Sequence, residues 1–393
     1  MKGPERNRPT WGRRDVLRGG VALSAVAVAG GAATALAPPA RAAGPAGMPT
    51  YRYLRDALAM PLNYNRTGEF IFPTIRGVFD KISDPRSKYY LYYAPHENPG
   101  GICIAFSDSL EGPFSDYREN PVIDRHLNGT TVSHVSSPHV IWDAATQQFF
   151  CYFHGENTVT RVARSRDGIN FVDETAILST RLVPGTSETS YARVFEHALP
   201  GRNNKYVMVF MGVKGGRRIF YGWSPNGWDN WQFSASPLVN PEGDGLTDIS
   251  GPTVVKRNGT TYIAYHGNDG RMRLTEVGND FRQENHLGVF HSPIASDRGR
   301  VAAPSFGSEN GTEYMFYEAG ARLSARICIA RAVPGGAPTP SAAARGLGVP
   351  RSLTPSGDHP ADAGHAHDGH EEQQRLAGEV QRAAHAVESE GEQ

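Results

Sequence analysis

The sequence predicts an all-β protein, a five-bladed β-propeller of four-stranded antiparallel blades whose ring is closed by an N-terminal strand. Two observations support this fold class. The 44 Gly and 28 Pro, with 10% aromatic residues and few long amphipathic runs, favour short strands joined by many turns. A strongly aromatic strand also recurs five times, every 52 to 60 residues, which is the size of a propeller blade with its loops.

The repeating unit is clearest at residues 248–267, DISGPTVVKRNGTTYIAYHG. It consists of a short strand at 252–256, a turn on Asn258-Gly259 and a second strand at 260–266. Asn-Gly between β-branched or aromatic runs is a strong hairpin signal, because both turn residues must accept positive φ. The five aromatic strands occupy 88–94, 148–154, 205–211, 261–266 and 313–318.

A third strand follows each aromatic strand, and a fourth, outer strand follows in copies one to four. The fifth copy lacks an outer strand, because the chain passes there into a Pro- and Gly-rich segment. Residues 51–65 precede the first inner strand and include Met60-Pro61-Leu62, which is similar to Asn120-Pro121-Val122. We therefore expect the N-terminus to supply the missing strand and to close the ring, which protects strand edges.

The two ends of the chain are set apart from this domain, which spans 44–333. Residues 1–43 contain Arg13-Arg14, an apolar Ala/Gly-rich run at 21–36 and the small-residue site Ala40-Arg41-Ala42, the order of an export signal of the twin-arginine (Tat) type. A membrane anchor is the alternative, but the run is interrupted by Gly and is short. Residues 334–393 are rich in Pro, Ala, His and acidic groups, which predicts a disordered tail.

Charge and cysteine content narrow the function classes. The 40 basic and 40 acidic residues give no net charge, which argues against a nucleic-acid partner. The 3 cysteines cannot build a full disulfide framework, and Cys103, Cys151 and Cys328 read as small core residues. We expect a secreted monomer that meets the Tat machinery during export and has no membrane segment in its mature form.

Function in a propeller concentrates where the innermost strands meet the axis. These strands are predicted at 70–78, 136–142, 191–197, 249–255 and 301–306, and four have Pro near their start. We expect each Pro to be the first residue of its strand, where no ladder donor is needed.

The motifs Ser-Pro-His-Val-Ile-Trp-Asp (137–143), Ser-Asp-Ser-Leu-Glu-Gly-Pro-Phe (107–114) and Gly-Pro-Thr-Val-Val-Lys-Arg-Asn-Gly (251–259) carry a family likeness. On them, the chain resembles the five-bladed propeller glycosidases, the superfamily of glycoside hydrolase families 43, 62, 32 and 68. The likeness covers roughly residues 50–333. It implies a carbohydrate substrate and a site of three carboxylates, in which one group donates a proton while another activates water or attacks.

This chain departs from the pattern that the resemblance implies. The positions matching the three carboxylates hold Phe72, Tyr191 and Ser250, and His139 stands where relatives often have Asp. Either the catalytic site is rearranged, or hydrolysis is lost and the propeller only binds glycan. Relatives sometimes hold an axial calcium ion, which stays possible here. No zinc-type spacing, phosphate-binding loop or nucleophile elbow is present, so we expect no other metal or cofactor.

We predict that a glycosidic bond is cleaved with His139, Asp248 and Glu69 as catalytic residues. Histidine can transfer protons near neutral pH, and Asp248 and Glu69 supply carboxylates close to inner strands. Arg193 on the third inner strand would hold an anionic group on a sugar, although an inter-blade structural role is equally compatible, and Glu196 faces the other way. The predicted substrate-binding residues are Arg76, Phe72, Ser137, Tyr191, Arg193 and Ser250.

His96, His154 and His266 share a place at or just after the end of a second strand. Their recurrence favours a structural hydrogen-bonding role over substrate contact. Two ionisable groups facing one axial pocket would indicate an enzyme, whereas an axial pocket lined by Phe72, Tyr191 and Ser250 alone would indicate a glycan-binding module. A protein-interaction propeller, with a flat apolar face, is a third alternative.

Overall fold

The computed structural model describes residues 44–64, 68–95 and 97–333. Its architecture is a five-bladed β-propeller, as predicted, and the described residues contain no α-helix. The innermost strands of neighbouring blades contact each other around the whole ring. From the innermost strand outward, the strands are Ile71–Gly77, Tyr89–Ala94, Cys103–Ser107 and Ser115–Asp116 in blade I; Val135–Asp143, Gln148–Gly155, Val159–Ser165 and Val172–Ser179 in blade II; Thr189–Glu196, Tyr206–Val213, Arg217–Ser224 and Gln232–Phe233 in blade III; Ile249–Arg257, Thr260–Gly267, Met272–Glu276 and Asn285–His291 in blade IV; and Val301–Glu309, Thr312–Ala319, Arg326–Val333 and Thr50–Asp56 in blade V.

Short elements connect the blades. A small hairpin joins blades I and II, and short 3-10 turns lie outside the sheets. No helix in the described part of the chain is long and apolar enough to span a membrane. The hairpin strands are His126–Leu127 and Thr130–Thr131, and the 3-10 turns are Pro45–Gly47, Thr180–Leu182, Pro241–Asp244 and Ala295–Asp297.

The ring is closed by the N-terminal strand, as the sequence predicts. Thr50–Asp56 pairs antiparallel with Arg326–Val333, from Thr50 opposite Val333 to Asp56 opposite Cys328. This strand becomes the outer strand of blade V, which the C-terminal part of the chain does not supply. Its pairing covers an edge that would otherwise expose unpaired backbone donors and acceptors.

A β-bulge interrupts every innermost strand at the same place. The pairing register shifts there in all five blades, and one residue of each bulge has positive φ. These residues are Phe72 (59°), Ser137 (58°), Tyr191 (56°), Gly251 (59°) and Ala303 (46°). In four blades a Pro follows this residue. We predicted that the Pro would be the first residue of its strand, but it lies inside the strand. The bulge explains the difference, because a residue there makes no ladder bond that needs an N–H group.

The core lies between adjacent blades and is built from the aromatic second strands. Tyr92 donates to the carbonyl of Gly168 in blade II (2.7 Å), and Tyr152 donates to the carbonyl of Gly227 in blade III (2.8 Å). These equivalent bonds join blade I to blade II and blade II to blade III. Cys103, Cys151 and Cys328 are free thiols buried in the core, as predicted.

Several sequence predictions lie outside the described residues. The export signal at 1–43, the tail at 334–393 and His96 belong to this group.

Candidate functional site

The five bulges define one end of the axis, which we call the mouth. Just before each bulge, an innermost strand pairs with the end of the second strand, and the second-strand residue at this position differs between blades. The five residues are Ala94, His154, Met211, His266 and Glu318, opposite Ile71, Ser136, Ser190, Ser250 and Ala302 respectively. Polar side chains therefore enter the mouth from blades II, IV and V.

Two aromatic residues predicted to bind substrate meet at the mouth. The rings of Phe72 and Tyr191 lie 5.1 Å apart between centroids, and the ring of His154 packs edge-on against Tyr191 at 5.3 Å. Burial raises the pKa of Tyr191 above its ordinary value, and Glu188 raises it further. Aromatic rings thus stand where the resemblance implies carboxylates. The predicted contacts Ser137 and Ser250 are buried in the adjacent bulges.

Glu318 is a buried carboxylate at the mouth, and it is not among the site residues predicted from the sequence. It is 1% exposed, and its Oε1 accepts a hydrogen bond from the Phe72 N–H at 3.1 Å. Its Oε2 pairs with Nη2 of Arg300 at 3.0 Å. The signal for Glu318 was its place in the repeat, because it ends the fifth aromatic strand where His154 and His266 end the second and fourth.

Glu69 is a second buried carboxylate, and it precedes the first innermost strand. It is 1% exposed, and its Oε1 accepts a hydrogen bond from the Leu323 N–H at 3.0 Å. Its Oε2 has no hydrogen-bond partner among the described residues. Burial raises the pKa of Glu69 to about 7, and Glu318 and Glu97 add to the rise. The side chain is thus poised to hold or release a proton near neutral pH.

His139 lies on the axis but is sealed from solvent. It is 2% exposed, with Nδ1 at 2.9 Å from the Val194 N–H and Nε2 at 3.0 Å from Nη2 of Arg76. A neutral imidazole has one acceptor nitrogen, so only one of these contacts can be a hydrogen bond at a time. Burial, Arg76 and Arg193 hold the pKa of His139 well below its usual range, so the ring is neutral.

Arg193 joins three blades at the axis. Its guanidinium donates to the carbonyls of Pro304 (3.0 Å), Pro73 (3.2 Å) and Ala303 (3.4 Å), which the bulges leave outside the ladders. These contacts fit the structural alternative stated above, with backbone carbonyls in place of an ion-pair partner.

Arg76 lies on the first innermost strand. It donates to the carbonyls of Val140 and Ile75. Burial lowers the pKa of Arg76 and Arg193 to about 10.

An axial calcium ion does not fit these residues. Two buried guanidinium groups would repel a cation, and Arg193 already binds the carbonyl oxygens of two bulges. Residues 44–64, 68–95 and 97–333 also contain no group of three or more His, Cys, Asp or Glu side chains that could hold a metal ion.

Asp248 lies at the rim of the mouth, between blades III and IV. Its Oδ1 accepts a hydrogen bond from the Arg217 N–H at 2.9 Å, and its Oδ2 accepts one from the Thr247 hydroxyl at 2.9 Å. No hydrogen bond joins Asp248 to His139 or Glu69 within the described chain, so the structure does not bring the predicted catalytic set together as one contact network. The catalytic roles of all three residues stay predictions.

His154 and His266 occupy equivalent positions, consistent with their shared place in the sequence. Gly251 faces His266 so closely that a Cβ at this position would lie 2.9 Å from the imidazole ring. Its φ of 59° also favours glycine. Burial, followed by Arg300, Arg217 and Arg193, holds the pKa of His266 well below its usual range.

The closed ring of five four-stranded blades is a fold that solved alpha-L-arabinofuranosidase structures also have. No protein-family model matches the sequence, and no curated protein matches it significantly. The structure is similar to the alpha-L-arabinofuranosidase PaAbf62A from Podospora anserina in complex with cellotriose, with a TM-score of 0.53, 10% identity, and coverage of 74% of this chain and 99% of the other. It is also similar to the catalytic domain of a GH62 alpha-L-arabinofuranosidase from Coprinopsis cinerea, with a TM-score of 0.51, 9% identity, and coverage of 73% and 98%. At such identities the likeness concerns the fold.

Proposed function

We propose that this chain is a secreted glycoside hydrolase that cleaves a glycosidic bond in a poly- or oligosaccharide with a rearranged pair of carboxylates, Glu69 and Glu318. The observation that carries the proposal is the contrast between the two groups. The Glu69 carboxyl has a pKa raised to about 7, whereas Glu318 is paired with Arg300. Carboxyl groups whose environments differ in this way suit glycoside cleavage, which needs one proton donor and one anion.

In the proposed mechanism, protonated Glu69 donates its proton to the glycosidic oxygen as the bond to the leaving group breaks. Glu318, which pairs with Arg300 and accepts a hydrogen bond from the Phe72 N–H, is assigned the role of the anion. It stabilises the positive charge that develops on the sugar, and it either attacks the anomeric carbon or activates water. Phe72 and Tyr191 provide an aromatic surface for the apolar face of the ring.

We assign the proton donor to Glu69 and not to His139, because the N–H of a buried neutral imidazole is far too weak an acid to protonate a leaving group at neutral pH. In this proposal Asp248 has a structural role, which is to hold the turn that precedes Arg217.

Access to Glu69 needs a local movement. Leu323, whose N–H donates to this carboxyl, is 54% exposed and has a φ of 67°, a strained conformation for a bulky residue. We infer that the loop at 320–325 moves aside when a sugar enters.

The experiment is a hydrolysis assay of the protein without residues 1–43 on a panel of plant, algal and bacterial glycans. We expect Glu69→Gln and Glu318→Gln each to lower the rate of sugar release by at least about a hundredfold. Glu196→Gln is the matched control, since Glu196 is exposed and on the outward side of its strand. His139→Ala, checked for folding, tests the prediction from the sequence that His139 is a catalytic residue.

A non-catalytic glycan-binding propeller is the second candidate, and it is favoured by the aromatic pair Phe72–Tyr191 at the former carboxylate positions. Binding of a glycan without release of sugar from any substrate would establish this alternative. Sugar release that both Gln variants retain would instead show that hydrolysis occurs with other catalytic groups.

Export through the Tat route rests on Arg13-Arg14 and the following apolar run. We expect replacement of both arginines by lysine to retain the protein inside the cell, as measured by fractionation. Unchanged export would contradict this route.

A further inference from the structure

Arg217 begins the third strand of blade III, at the rim of the mouth. Its side chain is 41% exposed, and the nearest carboxylate, Oε2 of Glu188, lies 3.8 Å away, too far for a hydrogen bond. The guanidinium donates no hydrogen bond to the described part of the chain. Its donors are therefore open to a ligand.

The other arginines of the mouth are committed to partners. Arg300 pairs with Glu318, Arg322 pairs with Glu97, and Arg193 binds three carbonyls. These contacts hold each guanidinium in place and satisfy part of its hydrogen-bonding capacity. Arg217 stands apart from them.

The backbone under Arg217 is nevertheless fixed. Its N–H donates to Asp248 at 2.9 Å, and Gly216 approaches the Thr247 carbonyl so closely that a Cβ would lie 2.7 Å from the oxygen. Gly216 has a φ of 107°, which requires glycine. The backbone of this turn is therefore held against the residues that precede the innermost strand of blade IV. The Arg217 guanidinium makes no hydrogen bond to the described residues.

A second, independent observation lies beside it. The Nδ1 atom of His266 is buried and has no hydrogen-bond partner among the described residues. Arg217 lies near it, because its N–H donates to Asp248, and Asp248 lies two residues before Ser250, which pairs with His266. Arg217 also lowers the pKa of His266. An unpaired imidazole nitrogen and an uncommitted guanidinium thus face the same region of the mouth, where a buried polar atom without a partner is costly.

We propose that Arg217, with His266 beside it, forms a subsite for an anionic substituent of the sugar, a carboxylate or a sulfate. The planar fork of the guanidinium can bind two oxygens of such a group at once. Neutral His266 can donate one further hydrogen bond if Nδ1 carries the proton. Glu188, whose carboxylate lies 3.8 Å from the guanidinium, would compete with the anionic substituent for Arg217. This inference rests on the proposed function, because it names the substrate class of the same site.

The test is binding, measured by calorimetry, of matched glycan pairs that differ only in charge. The pairs are xylo-oligosaccharides with and without a glucuronate branch, oligogalacturonides as free acids and as methyl esters, and galactan oligosaccharides with and without sulfate. We expect the charged member of at least one pair to bind about tenfold more tightly or better, and Arg217→Met to remove this preference. Arg217→Lys should retain only part of it, because lysine keeps the charge and loses the fork.

Arg118→Met is the control, as it removes the same charge from an exposed position on the outer side of blade I and should leave the preference unchanged. Preference within the uronate pairs alone identifies a carboxylate ligand, and preference within the sulfate pair alone identifies a sulfate. Equal affinity within every pair, absence of binding to all of them, or a preference that survives Arg217→Met would overturn the proposal.

Failure of the subsite and failure of hydrolysis give different results. If the protein prefers anionic glycans through Arg217 but releases no sugar, the subsite stands and the hydrolase proposal falls. If it cleaves neutral glycans through Glu69 and shows no charge preference, the hydrolase proposal stands and the subsite falls.

Discussion

At the scale of single residues, the chemistry of the mouth depends on the partners of each buried group more than on residue type. Glu69 and Glu318 are both carboxylates with 1% exposure, yet their partners differ. Glu318 has an arginine and a backbone N–H, whereas Glu69 has one N–H and one oxygen without a partner. Desolvation without a compensating charge favours the protonated form, so Glu69 is the natural proton donor of the two.

The raised pKa of Glu69 has a measurable consequence for stability. Since the pKa is about 7 in the folded protein and 4.5 as the ordinary value, the unfolded chain releases this proton first, and the wild type should lose stability as pH rises from about 4.5 to 7. Glu69→Gln cannot ionise, so its free energy of unfolding relative to wild type should rise by up to about 3 kcal/mol over this window. Urea unfolding of both proteins at several pH values measures the difference, and parallel curves would contradict it.

The same scale shows which site residues a sequence can reveal. Phe72 and Tyr191 were predicted because they occupy positions where the resemblance implies carboxylates, and the structure brings their rings together. Glu318 has an equally regular position, but it reads as the end of a core strand, because nothing local shows that the second strand reaches the mouth. Arg217 is the first residue of a strand, and only the assembled blades show that its guanidinium donates no hydrogen bond to the described residues.

At the scale of elements, the bulged innermost strand determines what the axis contains. Each bulge removes backbone groups from the ladder, and side chains from other blades satisfy them. Arg193 donates hydrogen bonds to the carbonyls of Pro73, Ala303 and Pro304, and the Thr74 hydroxyl donates to the Pro138 carbonyl at 2.8 Å. The sequence predicted these strands to within three residues at either end, but it did not reveal the bulges, which depend on pairing with the second strand.

We predict that Arg193 stabilises the fold by binding backbone carbonyls at the axis, as an axial cation would. Arg193→Met should lower the free energy of unfolding by about 3 kcal/mol or more, because three buried carbonyls lose their donor. A chelator should not change the thermal midpoint of the wild type. Arg118→Met serves as the control for loss of charge. A stable Arg193→Met protein, or a wild type that a chelator destabilises, would be inconsistent with this role.

At the scale of the whole molecule, the ring depends on contact between the two ends of the domain. The repeat spacing and the missing outer strand of the fifth copy were sufficient to predict closure, because a propeller leaves few alternatives for an unpaired edge. The strand Thr50–Asp56 also carries Tyr51, whose hydroxyl donates to Glu313 of Thr312–Ala319, two strands away in the same sheet. Glu313 in turn pairs with Arg257 of blade IV. Closure thus ties blade V to blade IV as well as completing a sheet.

Removal of the closing strand should therefore affect the whole domain. A protein that starts after residue 57 should unfold at a lower temperature and aggregate, since the edge of Arg326–Val333 becomes exposed. A protein that starts at residue 44 is the control and should behave as the mature domain. Equal thermal midpoints and solubility for the two proteins would show that the strand is dispensable.

The proposed hydrolysis depends most on one step, the donation of a proton by protonated Glu69 in glycoside cleavage. The most direct measurement is the pH dependence of kcat/KM on the best glycan of the panel. Because the acid form is required and its pKa is about 7, we expect kcat/KM to fall about tenfold for each pH unit above roughly 7. A rate that stays constant or rises between pH 7 and 9, with the protein folded throughout, would contradict the account.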